Sequence, residues 1–119
     1  MTGDSILRVP GSARGRSQAS AWRDLAWAVA TAPDKSAGIY EQTRQALDLI
    51  DVSLAGCGTD RTRIVTATVY ITRMTDKTEM DRAWNEWIGP DPSSWPQRAC
   101  VGVQLEGGTL VEIVVAAAR

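Results

Sequence analysis

Two charged residues stand inside apolar stretches near the end of the chain, and they are its strongest candidates for chemistry. Glu112 interrupts the run LVEIVVAAA at residues 110–118. A carboxylate placed there is costly to bury unless it is paired, hydrogen-bonded or protonated. Arg98 follows Trp-Pro-Gln and precedes Ala-Cys-Val. It shares strand parity with Cys100, so the two face the same side of a sheet. If residues 98–105 and 110–118 form a hairpin around Glu106-Gly107-Gly108, Arg98 approaches Glu112 on one face. The residues alone leave two readings open: a structural ion pair, or a site.

The remaining inventory narrows the chemistry. The sequence contains no histidine, which removes the Ser-His-Asp triad, the Cys-His dyad and histidine-based metal sites together. Any acid or base is then a carboxylate, tyrosine, lysine, cysteine or bound water. The two cysteines, Cys57 and Cys100, read as free thiols and not as a disulfide framework. Cys100 without a histidine partner reads as a small buried hydrophobe whose backbone amide can donate to an anion, ahead of a nucleophile. With two cysteines as the only soft ligands and no histidine, no zinc or iron site is expected. Trp84, Trp87 and Trp95 read as core or interface anchors. The group Arg8, Arg14, Arg16 and Arg23 reads as solvated surface, and Gly107-Gly108 as a turn with no helix after it to bind phosphate.

The chain has 119 residues, enough for one domain with one core, and a formal net charge of -1. That balance gives no surplus of cations for phosphates, so no nucleic-acid partner is expected. No apolar run reaches membrane-spanning length, so no membrane partner is expected either. The first residues lack a basic start followed by an apolar segment, so the expected compartment is the cytoplasm. Residues 1–5 read as a loose terminus.

The elements that must position these residues follow from hydrophobic periodicity. Residues 6–9 suit a short edge strand stopped by Pro10-Gly11. Residues 17–22 and 25–31 suit two strands joined tightly at Arg23-Asp24, although AWAVATA has poor β-propensity and alanine equally suits a helix. Thr43, Ala46, Leu47, Ile50 and Leu54 recur at helical spacing and predict a helix over 39–55, ended by Gly56-Cys57-Gly58. RIVTATVYI at 63–71 is a β-branched strand apolar on both faces. Thr75-Asp76 can cap a second helix over 77–88 with Met80, Ala83, Trp84, Trp87 and Ile88 inward, closed by Gly89-Pro90. This order gives an α+β fold, a two-layer sandwich with a mixed sheet and two helices on one face. Valine and alanine on both parities of 63–71 and 110–118 predict that a partner subunit covers the other face.

The segments EQTRQALDLIDVSLAGCGTDRTRIVTATVYITRMTDKTEMDRAWNEWIG, WPQRACVGVQL and LVEIVVAAA together resemble the Rid/YjgF family, also called L-PSP endoribonuclease-like. Pro96-x-Arg98-x-Cys100 with Val-Glu112-Ile downstream is the most specific part of the likeness, which covers about residues 38–118. The resemblance implies a chorismate-mutase-like fold packed as a trimeric barrel, with ligand sites in the clefts between subunits. It implies hydrolysis of reactive imines or enamines to 2-oxo acids and ammonia, without cofactor. Arg98 would grip the substrate carboxylate as a fork, Glu112 would position and polarise the attacking water, and Cys100 would contribute backbone contacts. Arg16, Val29 and Asp81 fall at further substrate-binding positions but depart from the family pattern. Arg16 replaces a tyrosine and Asp81 an asparagine. Val29-Ala30-Thr31 stands where the family has Ser-Gly-Gln, and Gly102 where many members carry glutamate. These departures point to a shifted substrate. The alternative is a trimeric module that binds small carboxylates or a protein partner without turnover. A ribonuclease reading, inherited from the family's other label, sits poorly with the acidic balance and the missing histidine.

Overall fold

The computed structural model of the chain describes residues 5–119. The expected loose terminus therefore lies, apart from Ser5, outside the described residues. Strand β1 (Leu7–Pro10) pairs with β2 (Ser17–Trp22), which turns tightly at Arg23-Asp24 into β3 (Leu25–Thr31). The alanines that weakened the sequence case for these strands explain themselves in the packing. Ala19, Ala21, Ala26, Ala28 and Ala30 all point to one face and are buried there. Helix α1 (Ile39–Gly56) lies against β2 and β3 on that face. Small side chains let the helix approach closely, so tertiary context outweighs β-propensity.

The buried stripe of α1 contains the five predicted residues together with Gln42 and Ser53. The helix ends in a paired reversal: Gly58 donates to the Ala55 carbonyl at 3.0 Å and Thr59 to the Leu54 carbonyl at 2.9 Å. Gly58 sits at φ 79°, the left-handed conformation such an ending requires. Strand β4 (Ile64–Ile71) follows, then α2 (Lys77–Ile88), then β5 (Gln97–Gly102) and β6 (Val111–Ala118). The expected Thr75-Asp76 cap of α2 is not made. A 3-10 turn over Met74–Asp76 leads directly into the helix, and the Asp76 carboxylate pairs with Arg73 at 3.4 Å instead.

The six strands form one sheet in the order β1-β2-β3-β6-β4-β5, antiparallel except for the β4–β5 pair. Both helices cover one face, giving the two-layer α+β sandwich. The predicted hairpin between residues 98–105 and 110–118 does not form, because β4 lies between β5 and β6. Residues 103–110 instead step across the end of β4. Val103 donates to the Ile71 carbonyl at 2.9 Å, and Thr72 to the Leu110 carbonyl at 3.2 Å. The physical reason is in β6 itself. Its Val111, Ile113, Val115 and Ala117 are buried, and such a strand is best placed between two others near the middle of a sheet. The opposite face carries no helix. Trp27, Leu25, Val101 and Val114 stand exposed on it.

One polar side chain inside the α1 stripe holds the crossing segment. Gln42, fully buried, donates from Nε2 to the carbonyls of Ala37 and Gly108, each at 3.0 Å, and accepts from the Leu110 amide at 3.0 Å. Replacing it with leucine keeps the volume but strands several buried backbone groups. Gln42→Leu is expected to lose about 2–4 kcal/mol of stability, since each unmade buried bond costs about 1–3 kcal/mol and some groups will find water. Urea unfolding checks this: the midpoint should fall with little change in slope.

Candidate functional site

The candidate residues form two separate groups. The first lies where β5 meets α2. Arg98 occupies the helix-covered face of β5, in register with Ala67 of β4. Positions 77, 80, 81 and 84 of α2 lie on adjoining turns of one helix side, and all four bear on this group. The Arg98 Nη2 donates to Asp81 Oδ1 at 2.6 Å, and Nη1 lies 3.9 Å from Met80 Sδ. The guanidinium carbon is 5.1 Å from the centre of the Trp84 ring, close enough for a cation–π contact. Lys77 Nζ donates to Asp81 Oδ2 at 2.8 Å. Asp81 thus bridges two cations. Its side chain is 28% exposed and that of Arg98 18%, so water screens the pair only in part.

Burial pushes the Asp81 carboxyl upward, but the hydrogen bonds from Lys77 and Arg98 outweigh it and hold the group below its ordinary 3.8. Because the folded value is depressed, ionised Asp81 contributes stability above the unfolded value. That contribution fades as pH falls through the folded value. The stability gap between the native chain and Asp81→Asn should therefore be widest near neutrality and should shrink below about pH 4. Denaturant titrations of both proteins across this range provide the check. Cys100, two residues beyond Arg98 on the same face, is half-buried. Burial raises its thiol above 9.0, with Arg98 pulling weakly the other way, so the thiol stays protonated near neutrality. Cys57 is buried, and burial raises its thiol too.

The second group centres on Glu112, which faces the helix-bare side of β6. It is in register with Thr31 of β3 and Tyr70 of β4. A surface pocket of about 420 Å³ is lined by Glu112, Thr31, Arg16, Lys35, Glu106 and Thr109 among others. Its floor loop is packed against the start of α1: a Cβ added to Gly108 would come within 2.7 Å of the Lys35 carbonyl oxygen, so only glycine fits. Gln42 ties the same loop down from inside. Val29 lies on the same bare face, in register with Val114, and does not line the pocket.

Arg98 and Glu112 are therefore not brought together within one chain. They sit on opposite faces, with β4 between their strands. Arg98 is level with Val115 through Ala67, three positions along β6 from Glu112. The expected approach failed because it rested on the hairpin. Arg98, Cys100 and Asp81 form one group, and Glu112 and Arg16 belong to the other. Sequence reading passed over Lys77, Lys35 and Gln42, and named Thr31 only as part of a departure. Gln42 had a signal: it falls one α-turn before Ala46 and two before Ile50, a polar residue on the apolar stripe. Thr31 supplies a hydroxyl opposite Glu112, close to where Val29 has none.

Other features offer less. A groove of about 210 Å³ between α1 and α2 is lined by Arg44, Asp48, Arg61, Glu86 and Trp87 among others. Much of its charge is spent locally. Arg61 donates to Asp51 at 2.7 Å and to the Trp87 carbonyl at 2.6 Å, and Arg44 pairs with Glu41 at 3.1 Å. Among the described residues, no helix is long and apolar enough to cross a membrane.

The model of one protein family, described as endoribonuclease L-PSP, matches residues 25–119. A RutC family protein of Haemophilus ducreyi is 41% identical over 104 residues, spanning 86% of this chain and 87% of that protein. The chain belongs to the Rid/YjgF family. A RutC family protein of Haemophilus influenzae is 36% identical, covering 95% of this chain and 97% of its own length. Among solved structures, a YjgF-family member from Neisseria meningitidis superposes with a TM-score of 0.88 at 29% identity, covering 99% and 98% of the two chains. A protein described as a putative translation initiation inhibitor from Salmonella typhimurium gives 0.86 at 28% identity, covering 97% and 98%. The residues matched by the family model include Arg98, Cys100, Asp81, Val29 and Glu112; Arg16 precedes them. Sheet and helices of this Rid/YjgF chain thus follow the family fold, while its two polar groups stay apart in the single chain.

Proposed function

We propose that the protein is a cytoplasmic, cofactor-free hydrolase of reactive imines and enamines, acting in clefts between the subunits of a homotrimer. The observation that carries this reading is the division of the family's charged pair. Arg98 lies at the α2–β5 edge and Glu112 on the bare apolar face. Neither group is a complete site. A second copy seated on the bare face would cover Trp27 and Val114 and set its own edge beside Glu112.

In that cleft, Arg98 receives the polar head of a small substrate, a carboxylate in the simplest case. Glu112 orients a water and takes its proton as the water oxygen attacks the imine carbon. The carbon–nitrogen bond then breaks, nitrogen leaves as ammonia after gaining protons, and the carbon keeps oxygen as a 2-oxo group. Imine carbons are electrophilic enough that a carboxylate and a held water suffice in place of a histidine. Thr31, in register with Glu112, would hold the water's second hydrogen bond. The assay generates 2-aminoacrylate or other imino acids in situ and follows 2-oxo acid or ammonia release by the purified protein. Release no faster than the spontaneous rate for every imine tried overturns the proposal.

One observation favours a second reading, in which the protein binds without turnover: Asp81 already occupies part of Arg98. Calorimetry with 2-oxo acids separates the two, since binding without hydrolysis supports the module. RNA cleavage, suggested by the family model's description, finds little support in a chain of formal charge -1 without histidine.

A further inference from the structure

Arg98 is not a bare anion receptor. One of its N–H groups is given to Asp81 at 2.6 Å, and another points at the sulfur of Met80 at 3.9 Å. No other acceptor is recorded for the guanidinium among the described residues, and five N–H donors leave several unspent. The Trp84 ring beneath it limits how far the fork can swing away from Asp81. Asp81 is held just as firmly, because Lys77 takes its other oxygen at 2.8 Å. Each Asp81 oxygen still has a free lone pair. A fixed donor and a fixed acceptor thus stand side by side at a partly open surface.

We infer that Asp81 sets the specificity of this half of the site, and that the Arg98–Asp81 pair receives a neutral primary carboxamide in preference to a carboxylate. The two head groups have the same shape and differ in what they ask of the pair. A carboxamide offers its oxygen to an unspent Arg98 N–H and its N–H to an Asp81 lone pair. A carboxylate can use only Arg98, and its second oxygen meets the Asp81 charge. Like charges about 4 Å apart at a partly screened site cost tenfold or more in affinity. Lys77 offsets this in part, but its ammonium already faces Asp81. The inference takes the position of the site from the imine-hydrolase reading and changes the substrate's head group.

The test is calorimetry with a matched pair, 2-oxobutanoate and 2-oxobutanamide, on the full chain and on Asp81→Asn, beside the imine assay. The native protein should bind the amide at least as tightly as the acid. Asp81→Asn should move the ratio towards the acid by about tenfold. A native preference for the acid overturns the inference without any variant having to fold. So does a ratio unchanged in a folded Asp81→Asn, which makes Asp81 a structural partner only. If imine turnover is intact while either result holds, the inference fails alone. If neither compound binds to either protein and no imine is turned over, the proposed function fails with it.

Discussion

Glu112→Gln should lower kcat for imine hydrolysis by about 10²–10⁴, the usual range for removing a general base, while KM changes little. The substitution keeps the shape and the hydrogen-bonding capacity of the side chain but removes its ability to take a proton. Glu112 sits on a strand paired on both sides, through Thr31 and Tyr70, so the backbone has little freedom to compensate. Arg98→Ala should behave differently. It removes a binding fork, so KM should rise, and it leaves Asp81 with Lys77 alone. The two variants together ask whether residues on opposite faces of one sheet serve one reaction. If Glu112→Gln retains full turnover, Glu112 is not the water's partner.

Val114→Asp should break the assembly. Val114 lies on the face that no helix covers, in register with Val29 and Thr68, and the same face exposes Trp27 and Leu25. In a trimer built on this face, each copy would bury an unpaired carboxylate, at an effective penalty of several kcal/mol per site. Sedimentation equilibrium should report a trimer for the native chain and a monomer for the variant. Catalysis should vanish with the trimer, although Arg98 and Glu112 are both intact. A native chain that sediments as a monomer removes the basis for a shared cleft.

The strands and helices were largely legible from pattern because each carries a local signature. The α1 stripe and the β-branched run of β4 are set by periodicity, and both formed within a residue or two of their expected limits. The order of strands was not legible. Whether β6 pairs with β5 or inserts between β3 and β4 depends on which faces need cover, and a short glycine turn at 107–108 looked sufficient for a hairpin. That single error carried Arg98 towards Glu112. For the site, residue types were readable and their partners were not. Asp81 stood out as a departure, but its hold on Arg98 comes from the placement of α2 over β5. Gln42 was hidden for a related reason: its partners are backbone groups of a loop 66 positions away, which side-chain pattern does not report.

The order β3-β6-β4 also bears on how the molecule is made. β6 is synthesised after every other strand of the sheet, yet it lies between β3 and β4 and pairs with both. While a nascent chain still lacks it, the β1–β3 meander and the β4–β5 pair have no hydrogen bonds between them and must wait side by side with their inner edges open. Such long-range closure is slow, and open edges invite pairing with other chains. Emergence of β6, and not of the helices, then becomes the moment at which the sheet can close. A transcript cut short before residue 111 would yield an aggregation-prone fragment in place of a smaller working protein.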